Sequence, residues 1–253
     1  MTFKFDNDSE LYDFINDRLS RLNRAGFDLL NYCCEDEYSE LIADFYGDVC
    51  QTIGAVWYKT GATKLVLNFY EFPDVVFKIP FKGVKTFEWD ESAEEWSFVE
   101  IQDFDNAGVL SNDRTCNDYC DTEEYLYEEA CNEGLEEFFT PIQCLGAIRD
   151  NYIYVSKRVD ADFYGKYLKK YSSEIDDTNK YSAEVARLNE TCDDCDMSSL
   201  MLSVFIFLYG IKKVTHLMNF INDKGMSDFH SYNVGWVPET GLLQILDYSG
   251  YFE

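Results

Sequence analysis

Leu11, Phe14, Ile15, Leu19 and Leu22 recur at three- and four-residue steps, which predicts an amphipathic helix with Ser9 as its N-cap and Gly26 as its interruption. A second helix is expected from Glu37, with Leu41, Ile42, Phe45, Val49 and Ile53 on its buried face. From Gly54 the period changes to two. Segments 55–58, 64–70 and 75–81 read as strands, joined by turns at Thr60-Gly61 and Phe72-Pro73-Asp74. Residues 83–121 form an acidic insertion, in which 87–89 and 96–101 are expected to pair as a hairpin and 103–120 to loop. A helix over 123–133 and strands over 142–148 and 152–159 follow. The remainder reads as helical: 163–171, a polar stretch over 176–195 with no assignment, and 198–221, whose broad apolar face implies one helix buried on most sides.

A chain of 253 residues suits one large domain or two small lobes. Its 46% hydrophobic and 17% aromatic content argues for a folded protein despite the charge. The longest apolar stretch, 200–211, is too short to cross a bilayer, and the first residues resemble neither a signal nor a transit peptide. The expectation is a soluble cytoplasmic protein without membrane attachment. The formal charge of −27 disfavours direct nucleic acid binding. It leaves two readings, a solubility feature or a surface that docks on a basic partner. Nine cysteines, an odd number, argue against a disulfide framework. Free thiols are one reading; a zinc site from the pairs Cys116/Cys120 and Cys192/Cys195 is the other.

The chemistry concentrates near the C-terminal end. Asp228-Phe229-His230-Ser231-Tyr232-Asn233 is followed, after a hairpin-like stretch, by Ile245-Leu246-Asp247-Tyr248-Ser249-Gly250. Phosphoryl transfer needs such a set: one carboxylate to take or orient the hydroxyl proton, an amide oxygen and a second carboxylate to hold Mg²⁺ on nucleotide phosphates. Lys78 is a charged residue in an otherwise apolar strand, either outward-facing or a phosphate ligand. His230 reads as a brace of the loop, and His216 as a satisfied core histidine.

In these motifs and in its order of strands, helix, strands and buried helix, the chain resembles the kinase-like superfamily. Asp228 to Asn233 is similar to the Asp-x-His-x-x-Asn form of aminoglycoside and choline kinases and of small bacteriophage protein kinases. The resemblance covers roughly residues 54–253. It implies an α+β, bilobal protein-kinase-like fold: an added N-terminal helical segment (1–53), a β-sheet N-lobe with its helix (54–159), and a reduced helical C-lobe (160–253). It implies ATP and Mg²⁺ as cofactors, Asp228 as catalytic base, Asn233 and Asp247 as metal ligands, and Lys78, Gly61 and Thr63 at the nucleotide. A helix acid should hold the lysine; Glu124 is preferred, with Glu123 and Glu128 as alternatives. Met226 replaces the family's common histidine, Gly61 is the lone glycine of its strand turn, and the metal loop is Asp-Tyr-Ser-Gly. The short stretch after Asp247 leads us to expect no ordinary activation segment.

The resemblance thus implies a phage-type serine/threonine protein kinase acting on a host protein in the host cytoplasm. A small-molecule kinase shares the motif. The charge supports a further alternative, an acidic pseudokinase or inhibitor that occupies a basic partner surface.

Overall fold

The computed structural model describes residues 5–34, 39–61, 63–100, 116–161, 181–190, 197–227 and 229–248. The chain is mixed α+β and divides into two compact units. One comprises Phe3–Thr122 and Ile142–Lys157, and the other is built mainly from Glu123–Pro141 and Arg158–Glu253. The division after Lys157 lies close to the boundary near 159 expected from sequence, whereas none falls near 53: the N-terminal helices group with the sheet, and a further break lies within a helix, after Thr122.

The first unit begins with α1 (Asp8–Ser20), α2 (Arg24–Leu29), the short strand β1 (Tyr32–Cys34) and α3 (Ser39–Ile53). Leu11, Ile15 and Leu19 repeat every four residues on α1 and are completely buried. Truncating any of them to alanine is expected to cost about 2–5 kcal/mol. Two local readings are corrected. The N-cap of α1 is Asn7, with Ser9 inside the helix. The break comes before Gly26: Asn23 Oδ1 accepts from the Gly26 amide at 2.7 Å and so starts α2.

The helices share a core with a five-stranded antiparallel sheet in the order β2-β3-β4-β8-β7. Its strands are β2 (Trp57–Thr60), β3 (Lys64–Phe69), β4 (Phe72–Pro80), β7 (Ile142–Ile148) and β8 (Asn151–Lys157). Alternation sorts the side chains. Leu65, Leu67, Phe69, Phe77, Ile79, Ile153 and Val155 belong to the core shared with α1. Arg18 joins this packing, stacking on Phe14 at 4.8 Å and pairing with Glu71. The expected hairpin in the acidic insertion is present as β5 (Gly83–Asp90) and β6 (Glu95–Glu100), and β1 adds to β5 in parallel. That third strand was not anticipated.

The helix expected over 123–133 begins seven residues earlier, as α4 (Cys116–Glu133). The second unit continues with α5 (Ser182–Asn189), α6 (Ser199–Tyr209), α7 (Ile211–Asp223), β9 (Val234–Val237) and β10 (Leu242–Ile245). The single helix expected over 198–221 is two. Gly210, at φ 82° and ψ 149°, ends α6 and caps α7, a conformation most side chains resist. The helix expected over 163–171 lies outside the described residues. No described helix is long and apolar enough to cross a membrane.

Candidate phosphotransfer site

In the second unit the chain leaves α7 through Gly225, at φ 61°, and the Met226 amide donates to Ile221 O at 3.0 Å. Met226 is 2% exposed and Phe229 is fully buried, so apolar anchors flank position 228 on both sides. Asp228 itself lies outside the described residues. His230 braces the following 3₁₀ turn, Ser231–Asn233: its Nδ1 accepts from the Tyr232 amide at 3.2 Å, and its carbonyl accepts from the Asn233 amide at 2.9 Å. The bracing role expected of His230 is therefore seen in its contacts. His216 departs from expectation. It is exposed on α7, with Nε2 3.1 Å from Glu133 Oε2, and is no core histidine.

A two-stranded ribbon sets the two candidate metal ligands at one of its ends. β9 and β10 pair antiparallel with Val234 opposite Ile245. One step further along the ladder, the Leu246 amide donates to the Asn233 carbonyl at 2.8 Å. Asn233 and Asp247 thus sit at the same end of the ribbon, at its entry and exit, and both are half-buried. A neutral amide oxygen and a carboxylate are hard donors of the kind Mg²⁺ takes, so the donor set fits that ion. Asp160 steadies the other side through two backbone bonds with Trp236, at 2.9 and 2.8 Å.

The segment after the ribbon is fixed by Thr140. Its amide and hydroxyl both donate to Ile245 O, at 2.9 and 3.1 Å, while its carbonyl accepts the Tyr248 hydroxyl at 2.8 Å. Tyr248 is fully buried, with the Phe139 ring edge-on at 5.0 Å. Burial first, then the charge of Glu123, holds its phenol well above the usual range and hence protonated. Of the three acids weighed on α4, Glu123 is fully buried, whereas Glu124 and Glu128 are half-buried. The sequence carried a signal for this. Glu123 stands between Tyr119/Cys120 and Leu126/Tyr127/Ala130 on one buried helical stripe.

In the first unit Lys78 lies inside β4, opposite Val66 on β3 and Tyr154 on β8, and is 5% exposed. Phe77 and Ile79 face the core of this unit, so Lys78 is buried on the opposite face of the sheet. Gly61 is exposed and closes the β2–β3 turn by donating to Lys64 O at 2.9 Å. A Cβ there would come no nearer than 3.8 Å to that carbonyl, so sterics do not demand glycine. Thr63 is 9% exposed, and its carbonyl accepts from Phe81.

Among the described residues no cluster of metal-binding side chains of the His/Cys/Asp/Glu type occurs. Cys120 is buried and forms no disulfide, while Cys192 and Cys195 lie outside the described residues. Comparisons with protein-family models, with curated proteins and with solved structures return no match.

Proposed function

We propose that this protein is an ATP- and Mg²⁺-dependent phosphotransferase with a bilobal, protein-kinase-like fold and a reduced C-lobe. The reading is carried by one observation, the ribbon that holds Asn233 and Asp247 at one end through the Leu246–Asn233 hydrogen bond. It is supported by the bracing of the turn after Asp228 and by a lysine buried within the third strand of the sheet.

Asp228 is assigned the role of base toward the acceptor hydroxyl. Asn233 Oδ1 and the Asp247 carboxylate would hold Mg²⁺, which supplies charge neutralisation at the nucleotide phosphates. Lys78 is assigned to the α/β-phosphates, with Gly61 and Thr63 in the neighbouring turn. The acid assigned alongside Lys78 is Glu124, with Glu123, the fully buried one of the three, and Glu128 as alternatives. The acceptor we propose is a serine or threonine of a protein, in a phage-type kinase that acts on host proteins in the host cytoplasm; a small-molecule alcohol is the variant the motif shares.

The test is incubation with γ-labelled ATP and Mg²⁺, reading autophosphorylation and transfer to bacterial lysate proteins. Label abolished by both Asp228→Ala and Asp247→Ala is the expected result. Equal label in Asp228→Ala removes the assignment. A second reading, an acidic pseudokinase occupying a basic partner surface, is favoured by the −27 charge. It predicts no label, no binding of Mg²⁺-nucleotide and a stable complex with a basic protein.

A further inference from the structure

We propose that Thr140 and Tyr248 form a clasp that positions Asp247 for metal binding; the inference rests on the phosphotransferase reading above. Thr140 grips the chain on both sides of that residue. Upstream, its amide and hydroxyl converge on Ile245 O; downstream, its carbonyl takes the Tyr248 hydroxyl. Between these points the Leu246 amide is held by Asn233 O. Residues 245, 246 and 248 are each tethered to a defined partner, and Asp247 is the residue they enclose.

The clasp is dry. Thr140 is 1% exposed, and Ile245 and Tyr248 are fully buried. A hydrogen bond in such surroundings gains from the low local dielectric, and its loss leaves a polar atom with no water to replace the partner. The phenol is the group that matters. A phenylalanine would fill the same space against Phe139 but would leave the Thr140 carbonyl without its donor, and the backbone would have to move to satisfy it. Movement of that backbone is movement of Asp247. The paired tether also gives the loop a reason to carry tyrosine after the aspartate, since phenylalanine would satisfy the packing alone.

The probe is Mn²⁺ with a non-hydrolysable ATP analogue, followed by electron paramagnetic resonance, together with metal-free binding of the same analogue. Wild type, Tyr248→Phe, Thr140→Val and Asp247→Asn are compared. Removing an outer-sphere support of a metal ligand typically lowers metal affinity by about 10- to 100-fold. Tyr248→Phe is expected to lose about 10-fold in Mn²⁺ affinity while keeping the metal-free affinity, a split that general loosening of the fold would not give. Thr140→Val, which keeps the amide and carbonyl, should lose less, and Asp247→Asn at least as much as Tyr248→Phe. Wild-type Mn²⁺ affinity in Tyr248→Phe overturns the clasp and leaves the phosphotransferase reading standing. If that variant fails to fold, wild-type affinity in Thr140→Val does the same. A wild-type protein that binds no Mn²⁺-nucleotide overturns both.

Discussion

The Tyr154 hydroxyl donates to the Asp121 carboxylate, so β8 and the start of α4 are joined by a bond from a fully buried phenol to a charged acceptor. The other carboxylate oxygen takes the Asn117 side-chain amide at 2.7 Å, one helical turn away. Because Tyr154 stands opposite Lys78 in the ladder, this bond ties α4 to the strand rung that carries the lysine. Tyr154→Phe should therefore lower unfolding stability. A bond to a charged group is worth about 1.5–3 kcal/mol, and the solvent exposure of Asp121 reduces the expected loss to about 1 kcal/mol. Urea denaturation measures it; an unchanged midpoint would show that the hydroxyl contributes nothing.

Lys78 carries a functional prediction that stability data alone cannot supply. On the proposed reading, replacement by methionine keeps the length of the side chain and removes only the charge at its end. Phosphoryl transfer should fall by about 100-fold or more, the scale of losing one electrostatic contact to a reacting group. Circular dichroism should stay that of the wild type. Retention of transfer activity in a folded Lys78→Met protein would take the lysine out of the mechanism.

Elements with a clean period were legible in the sequence, and those set by one local contact were not. Short apolar-rich runs bounded by turn residues over 64–69 and 142–148, and the four-residue repeat of Leu11, Ile15 and Leu19, gave these strands and α1. The break at Gly210 was hidden because the residues on both sides are apolar, so the pattern runs through a backbone reversal that only φ reveals. Asn23 took the capping role in the linker because its side chain reaches Gly26, a choice between two nearby turn residues that composition does not make. At the site, the Asn233 and Asp247 motifs stood out by spacing. The contribution of Thr140 did not, since it comes from a residue about a hundred positions away whose bonds are largely backbone. The full burial of Glu123 was not legible either, because a helix read from 123 leaves out Tyr119 and Cys120, the first half of its buried stripe.

High pH should destabilise this protein through groups it keeps protonated. Burial pushes the Cys50 thiol up from 9.0 to about 12, and raises the phenols of Tyr127, Tyr154, Tyr209 and Tyr248 above 10. The unfolded chain releases these protons first, so above pH 9 it binds fewer protons than the folded state and unfolding becomes easier as pH rises. The stability these groups confer is complete below their unfolded values and declines above them, by up to about 1.4 kcal/mol per pH unit for each fully ionised group. Urea midpoints at about pH 8 and about pH 10.5 should differ clearly, with Cys50→Ala removing the earliest part of the decline. A flat profile over that range would contradict the buried environment of these groups.

Gly235 links the packing of the ribbon to the chemistry assigned to its end. It sits in β9, two residues after Asn233, and an added Cβ would lie 2.5 Å from Val159 Cγ2 and 3.2 Å from both Asp160 O and Leu246 Cδ2. The Asp160 carbonyl is held by its bonds with Trp236, so it has little freedom to retreat. Relief must come from the Val159 side chain, the nearest, and from Leu246, the residue between the ladder and Asp247. Gly235→Ala is therefore expected to cost about 1–3 kcal/mol in overpacking and, on the proposed reading, to weaken metal-dependent nucleotide binding more than metal-free binding. Denaturation and paired nucleotide titrations with and without Mg²⁺ measure the two effects. A variant with wild-type stability would mean that Val159 and Leu246 yield without cost. A destabilised variant with unaltered metal dependence would separate the packing of β9 from the placement of Asp247.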